Sequence, residues 1–257
     1  MKKIFPVALL RFGKRLVRKT RYYGNKCQCP VCNSSLNGWK PTGYDFPVIR
    51  EMQIVGSGYR LALCPVCGAS DRIRLLYFFL KNKTEILKKS LKLLHIAPNE
   101  AIKRVLRTNQ NLDYLSADIN PDMVMEQMDI TGIQYPDDTF DAIICNHVLE
   151  HIPEDRKAMK ELYRVLKPGG WAILQVPFSK ISQETFEVPE ITKPEDREKY
   201  FGQNDHVRIY GLDYPNRLKQ AGFRVEQYKW TEDENFINPG NQFGLNPDEI
   251  VFFATKP

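Results

Sequence analysis

The start of the chain has no long hydrophobic run. Its one apolar stretch, Ile4 to Leu10, is broken by Arg11, and no small-residue cleavage site follows. A bilayer-spanning helix needs about 20 apolar residues, and a secretory leader needs a cleavage site, so neither is expected. Acid is also missing here: residues 1–26 hold nine of the 37 Lys and Arg and no Asp or Glu. The remainder, with 28 basic against 31 acidic residues, is mildly acidic. Beyond residue 67 cysteine is almost absent, with Cys145 alone remaining of six. A cytoplasmic compartment, where thiols stay reduced, is the expectation.

What is present fits one α/β domain of ordinary size with a small accessory unit, given 257 residues of 42% hydrophobic content. If helical beyond Pro6, the basic segment 1–26 groups Val7, Leu10 and Leu16 or Val17 on one side, with Lys14, Arg18 and Arg21 spread elsewhere. Such a segment suits an anionic membrane surface, placing the protein peripherally at the inner face, or a phosphate backbone. It equally suits a helix packed on its own domain with a solvated basic face.

The motif CPVC occurs twice, as Cys29/Cys32 and Cys64/Cys67. This spacing lets two thiolates from one tight turn reach a single tetrahedral ion, and two such turns close the site. Four thiolates leave no open position for water, so a structural zinc is expected rather than a catalytic one. The interval between the pairs exceeds that of a usual zinc ribbon, and the stretch around Gly38, Gly43, Gly56 and Gly58 is expected to form hairpins leading back to the metal. Disulfides are the alternative. Cys27 lies too close to Cys29 for the repeated pattern and is left out, though it could substitute. A zinc-ribbon-like module over 27–75 is the resulting expectation.

Further along, Phe140 to Cys145 is apolar at every position but Asp141 and fits a strand covered on both faces. Ala158, Met159, Leu162, Val165 and Leu166 recur at helical spacing from Glu154 on, Pro168-Gly169-Gly170 stops the helix, and Trp171 to Val176 forms the next strand. A strand, helix, strand unit of this length joins parallel neighbours by a right-handed crossover. Asn146 and His147 then sit just past a strand's carboxyl end, where open α/β sheets bind ligands.

The ordered occurrence of PDDTFDAI, VLEHI, LYRVLKPGG and QVP between Asp129 and Pro177 resembles the class I S-adenosylmethionine-dependent methyltransferases. The resemblance covers roughly residues 90–257. It implies a seven-stranded, doubly wound Rossmann-like sheet with its last strand antiparallel, closed by a helix in GLDYPNRLKQAGF and by strands Arg224 to Trp230 and Ile250 to Thr255. It also implies a cofactor site at the turn after the first strand, Leu91 to Ala97. The family's acid there falls on His95, and its glycine positions fall on Ala97, Asn99 and Ala101. Asn99, the non-glycine type most tolerant of positive φ, is expected to allow close approach and to cap the helix. Pro98 and Glu100 complete the turn. Asp118, with Ile119 beside it, takes the place of the acid that binds both ribose hydroxyls. Asp129-Ile130, ending the third strand, takes the place of the pair at the adenine, and Asn146 lies at the fourth strand's end. An exposed Asp at a strand end is otherwise a common turn former.

The insertion 178–210 is where the resemblance places acceptor contacts, and FGQNDHVRIYG concentrates polar groups there. His206 is the first candidate for a general base, since imidazole titrates near neutral pH. His151 and His147 are rivals. His147, Glu150 and His151 fall at i, i+3 and i+4, which on a helix could converge on a divalent ion, resembling an acid, acid, histidine set in ubiquinone-pathway O-methyltransferases. Three functions follow. The first is O-methylation of a small molecule or of a glycan or lipid-linked intermediate, and the second is RNA methylation, disfavoured by CNHV where an NPPY-type motif would stand. The third, suggested by the glycine-free first turn, is a zinc-stabilised binding module with a decayed cofactor site.

Overall fold

The computed structural model describes residues 15–257. Its centre is a seven-stranded sheet of β1 (Leu91–Ile96), β2 (Leu112–Asp118), β3 (Glu126–Gln127), β4 (Phe140–Asn146), β5 (Leu166–Gln175), β6 (Arg224–Lys229) and β7 (Ile250–Thr255), in the order β6-β7-β5-β4-β1-β2-β3. β1 to β5 pair in parallel, and β7 runs antiparallel to β5 and β6. The chain winds one way from β1 through β3 and the other way from β4. The crevice beyond the carboxyl ends of β1 and β4 is therefore the topological switch point, where such sheets take ligands.

The apolar runs explain this core. In β4, Ile143 and Cys145 join the cluster on one face, with Leu94, Leu162 and Leu174. Ala142 and Ile144 join the opposite face, with Leu93, Ile173 and Phe79. Each buried Leu, Ile or Phe among these contributes about 1.5–3 kcal/mol. Helices α1 (Asp71–Lys83), α2 (Glu100–Arg107) and α3 (Asp155–Val165) cover the sheet, with α3 burying Ala158, Met159, Leu162 and Val165 as their periodicity required. The expected fifth strand is longer than its apolar run. β5 opens at Leu166 and bulges before Trp171. A Cβ on Gly170 would stand 2.8 Å from the Lys167 carbonyl oxygen and 2.9 Å from that of Asp141, so only glycine lets the bulge close. β3 ends at Gln127, so Asp129-Ile130 lies beyond the strand rather than at its end. The next helix is α4 (Pro194–Phe201), within the insertion, and the last, α5 (Tyr214–Gln220), occupies part of the segment expected to be helical.

The cysteine-bearing region is stitched to this sheet. Tyr23–Cys29 pairs with Ser34–Leu36, and Lys40–Thr42 pairs with Arg60–Leu63. Ile54–Val55 pairs with Phe178–Ser179, immediately after β5. Arg74 on α1 is fully buried and donates to the carbonyls of Ala62, Ala69, Phe243 and Gly244, with its guanidinium 3.7 Å from the Trp39 ring centroid. Residues 15–21 are helical and leave Leu16 and Val17 exposed. Val7 and Leu10, the other half of the expected apolar stripe, lie outside the described residues. Among the described residues, no helix is long and apolar enough to cross a membrane.

Candidate active site and four-cysteine centre

Cys29, Cys32, Cys64 and Cys67 converge, with Sγ separations of 3.7 Å for Cys29 and Cys67 and 3.8 Å for Cys32 and Cys64. Zinc–sulfur bonds of about 2.3 Å in a tetrahedron put sulfurs about 3.8 Å apart. The donor set and its spacing thus fit zinc. Cys27 instead directs its thiol at the Leu36 carbonyl, 3.6 Å away. None of the six cysteines is in a disulfide. Cys145 is buried in β4, and burial pushes its thiol far above the usual range, so it is no nucleophile.

The turn from β1 into α2 shows how the chain manages without glycine. Ala97, not Asn99, takes the left-handed conformation, at φ 44°. Asn99 stays extended and caps α2, its Oδ1 accepting from the Ala101 amide at 2.9 Å. The first amides of α2 are thereby presented at the sheet edge, a natural place for a carboxylate. His95 is directed elsewhere. It is 1% exposed, with Nδ1 3.1 Å from the Tyr114 hydroxyl, and burial lowers its pKa to about 3. Its role is packing β1 on β2. Asp118 ends β2 with Oδ1 accepting from the Asn120 amide, leaving Oδ2 for a ligand, and Ile119 beside it is exposed. Asp129 Oδ1 accepts from the amide and hydroxyl of Thr131, while Ile130 is buried in the core. Asn146 Oδ1 is buried at the end of β4 with no partner among the described residues. The Asn99 cap, the free Asp118 oxygen and this orphaned carbonyl fit an S-adenosyl ligand at the switch point.

Next to Asn146 opens a cavity of about 510 Å³, lined by Gly56, Arg60, Arg72, His147, Glu150, His151, Gln203 and His206 among others. Three of the four histidines meet here. His147 turns the chain out of β4 at φ 56°, and only Leu149–His151 is a short 3-10 turn, so the helical spacing expected of His147, Glu150 and His151 does not exist. His147 Nδ1 accepts from Arg72 Nη1 at 3.1 Å, and its Nε2 is buried without a partner. Burial and the Arg72 charge hold its pKa well below the usual histidine range. His206, from the insertion, packs edge-to-face on His151 with 4.7 Å between ring centroids, and burial lowers its pKa to about 4. Burial raises Glu150 to about 8. Of the other polar groups in the insertion, Arg208 and Tyr210 are structural. Arg208 donates to the carbonyls of Leu149, Ile152 and Pro153, and Tyr210 donates to Asp155 at 2.7 Å.

The model of the methyltransferase domain matches residues 85–174, the span from just before β1 to the end of β5. The chain carries a methyltransferase domain. Over 52 residues it is 42% identical to the ubiquinone/menaquinone biosynthesis C-methyltransferase UbiE of Hydrogenovibrio crunogenus, a match covering 20% of each chain. The match thus spans about a fifth of that relative. Over 196 residues it is 24% identical to the demethylmenaquinone methyltransferase of Lactobacillus johnsonii, covering 76% of this chain and 65% of that one. Two solved structures share the fold. The S-adenosylmethionine-dependent methyltransferase of Mesorhizobium loti has a TM-score of 0.51 at 15% identity, covering 72% of this chain and 98% of its own. The [4+2]-cyclase SpnF has a TM-score of 0.52 at 15% identity, covering 84% and 99%.

Around the methyltransferase domain's switch point, sequence reasoning missed Gly56, Arg60, Arg72 and Glu249. The first three come from the cysteine-bearing region and α1, which fold over the cavity. Arg72 donates to the Gly56 carbonyl, and a Cβ on Gly56 would stand 3.3 Å from His147 and 3.4 Å from Glu249. The paired glycines of VGSG were the one available signal.

Proposed function

We propose that the protein is an S-adenosylmethionine-dependent methyltransferase acting on an oxygen of a small molecule or of a glycan or lipid-linked intermediate. The observation that carries this reading is the polar, histidine-lined cavity beside Asn146 at the switch point. S-Adenosylmethionine, when bound, supplies an activated methyl group. The chain's own tasks are alignment and proton removal. Asn99, Asp118, Asp129 and Asn146 would hold the cofactor. His147, a neutral imidazole whose Nδ1 is an acceptor, presents an Nε2–H donor to orient the acceptor. His206, neutral at pH 7, has a free lone pair and is the base of this reading, with His151 beside it.

Zinc at Cys29, Cys32, Cys64 and Cys67 would fix the region that roofs the cavity. The name of the Hydrogenovibrio crunogenus relative specifies a carbon acceptor, and a [4+2]-cyclase shares the fold, so the fold alone does not fix the reaction. A cavity with this density of imidazole and carboxylate suits a hydroxylated acceptor better than an apolar quinone ring. The groove of Arg15, Arg18, Lys103, Arg104 and Arg107, which also holds Glu100 and Asp122, is basic on balance and supports an anionic, lipid-linked carrier.

The test is transfer of labelled methyl from S-adenosylmethionine to a panel of hydroxylated glycans, lipid-linked sugars, quinols and RNA, with product linkage read by mass spectrometry. An O-methyl sugar product upholds the reading. A C-methyl product, or methylated RNA alone, overturns it.

A further inference from the structure

Within the cavity, Glu150, His151 and His206 each offer a ligand atom, and these atoms lie within 4.8 Å of one another. Glu150 and His206 are buried, and Glu150 Oε2 has no partner among the described residues. His151 is held by Asp205, whose Oδ2 lies 3.2 Å and whose backbone oxygen lies 3.3 Å from Nδ1. Two acceptors on one ring nitrogen fix the tautomer with the proton on Nδ1 and the lone pair on Nε2. A carboxylate behind a histidine is the arrangement that orients metal-ligating imidazoles.

The three donors come from two segments that the backbone holds in register without help. The Val207 amide donates to the Glu150 carbonyl at 2.9 Å, and Arg208 Nη1 to the Leu149 carbonyl at 2.9 Å. His147, the residue whose sequence spacing suggested a ligand, directs Nδ1 at Arg72 and lies 3.3 Å from Glu150 Oε1 through the same atom, and it is not among the three converging ligand residues.

We propose that Glu150, His151 and His206 bind a divalent transition-metal ion, separate from the four-cysteine centre. Two imidazoles and one carboxylate on one side of an ion select a first-row transition metal over magnesium or calcium, which prefer oxygen donors, and leave open positions on the far side. Those positions face the cavity. With the ion bound the His206 lone pair is engaged, so the role of base given to it under Proposed function belongs to the metal-free protein.

Manganese(II) is the probe, titrated into the full chain with zinc already in the four-cysteine centre and followed by the loss of the free-ion paramagnetic resonance signal. The expected result is one manganese per chain, with affinity at least tenfold weaker in His206→Ala and in Glu150→Gln, and about tenfold weaker in Asp205→Ala. Circular dichroism confirms that each variant is folded, and His206→Gln replaces His206→Ala if the latter is not. Manganese should also raise the melting temperature of the wild type and not of the variants. No manganese bound, or equal affinity in wild type and folded variants, overturns the proposal. This readout needs no methyl transfer, so it stands or falls apart from the reaction.

Discussion

Arg72 Nη1 lies 3.1 Å from His147 Nδ1, joining the first turn of α1 to the turn that leaves β4, 75 residues further along the chain. The contact makes the roof of the cavity and its floor one electrostatic unit. Arg72 is buried against Glu249 and Glu150, whose charges compensate its own. Arg72→Ala should therefore cost roughly 3–5 kcal/mol of stability at pH 8, by leaving buried carboxylates uncompensated. Adding Glu249→Gln should recover part of that loss. Urea denaturation of the four proteins of this cycle measures the coupling, and strict additivity would contradict it.

Glu249 makes a second, pH-dependent prediction. Burial raises its pKa from 4.5 to about 7. The folded protein then holds this proton more tightly than the unfolded chain does, so stability from this group is full below pH 4.5 and declines as pH rises towards 7. Glu249→Gln should match the wild type near pH 4.5 and exceed its stability by on the order of 3 kcal/mol at pH 8. Melts at the two pH values check this.

Ala97 at φ 44° carries a local strain that a glycine would not. Ala97→Gly should raise stability by about 0.5–1 kcal/mol despite the added flexibility of the unfolded chain, and should leave cofactor affinity intact or improved. A destabilised variant would show that the turn is not strained.

Asp155 anchors the insertion from beneath, accepting from the Tyr210 hydroxyl at 2.7 Å and lying 3.3 Å from Arg217, with all three groups buried. Asp155→Asn should destabilise by roughly 3 kcal/mol, leaving Arg217 with one fewer counter-charge. Because the Tyr210 segment also carries His206, activity should fall more than the folded fraction does. Equal losses would mean that the network is structural only.

Much of the sheet was legible because the middles of β1, β4 and β5 are short apolar, buried runs, Leu93-Leu94, Ala142 to Cys145 and Ala172 to Leu174, and α3 keeps its period over three turns. β3 was less so, having two residues, Glu126 and Gln127, with no pattern to read. The cysteine pairs declared their cluster by spacing alone. Two positions misled for physical reasons. His95 occupies an acid's position but finds a hydroxyl partner in Tyr114 inside the sheet, and positive φ falls on Ala97, the residue type less suited to it. Arg60, Arg72 and Glu249 were illegible because no local pattern marks a charge that is buried by a segment folding back from far along the chain.

The most direct test is calorimetric titration of the zinc-loaded chain with S-adenosylmethionine and S-adenosylhomocysteine, alongside Asp118→Ala. The account predicts one site per chain, with affinity falling at least tenfold in the variant, as loss of a charge-assisted contact to the ribose requires. No binding by the folded wild type, or equal binding by both proteins, would contradict a cofactor site at this switch point.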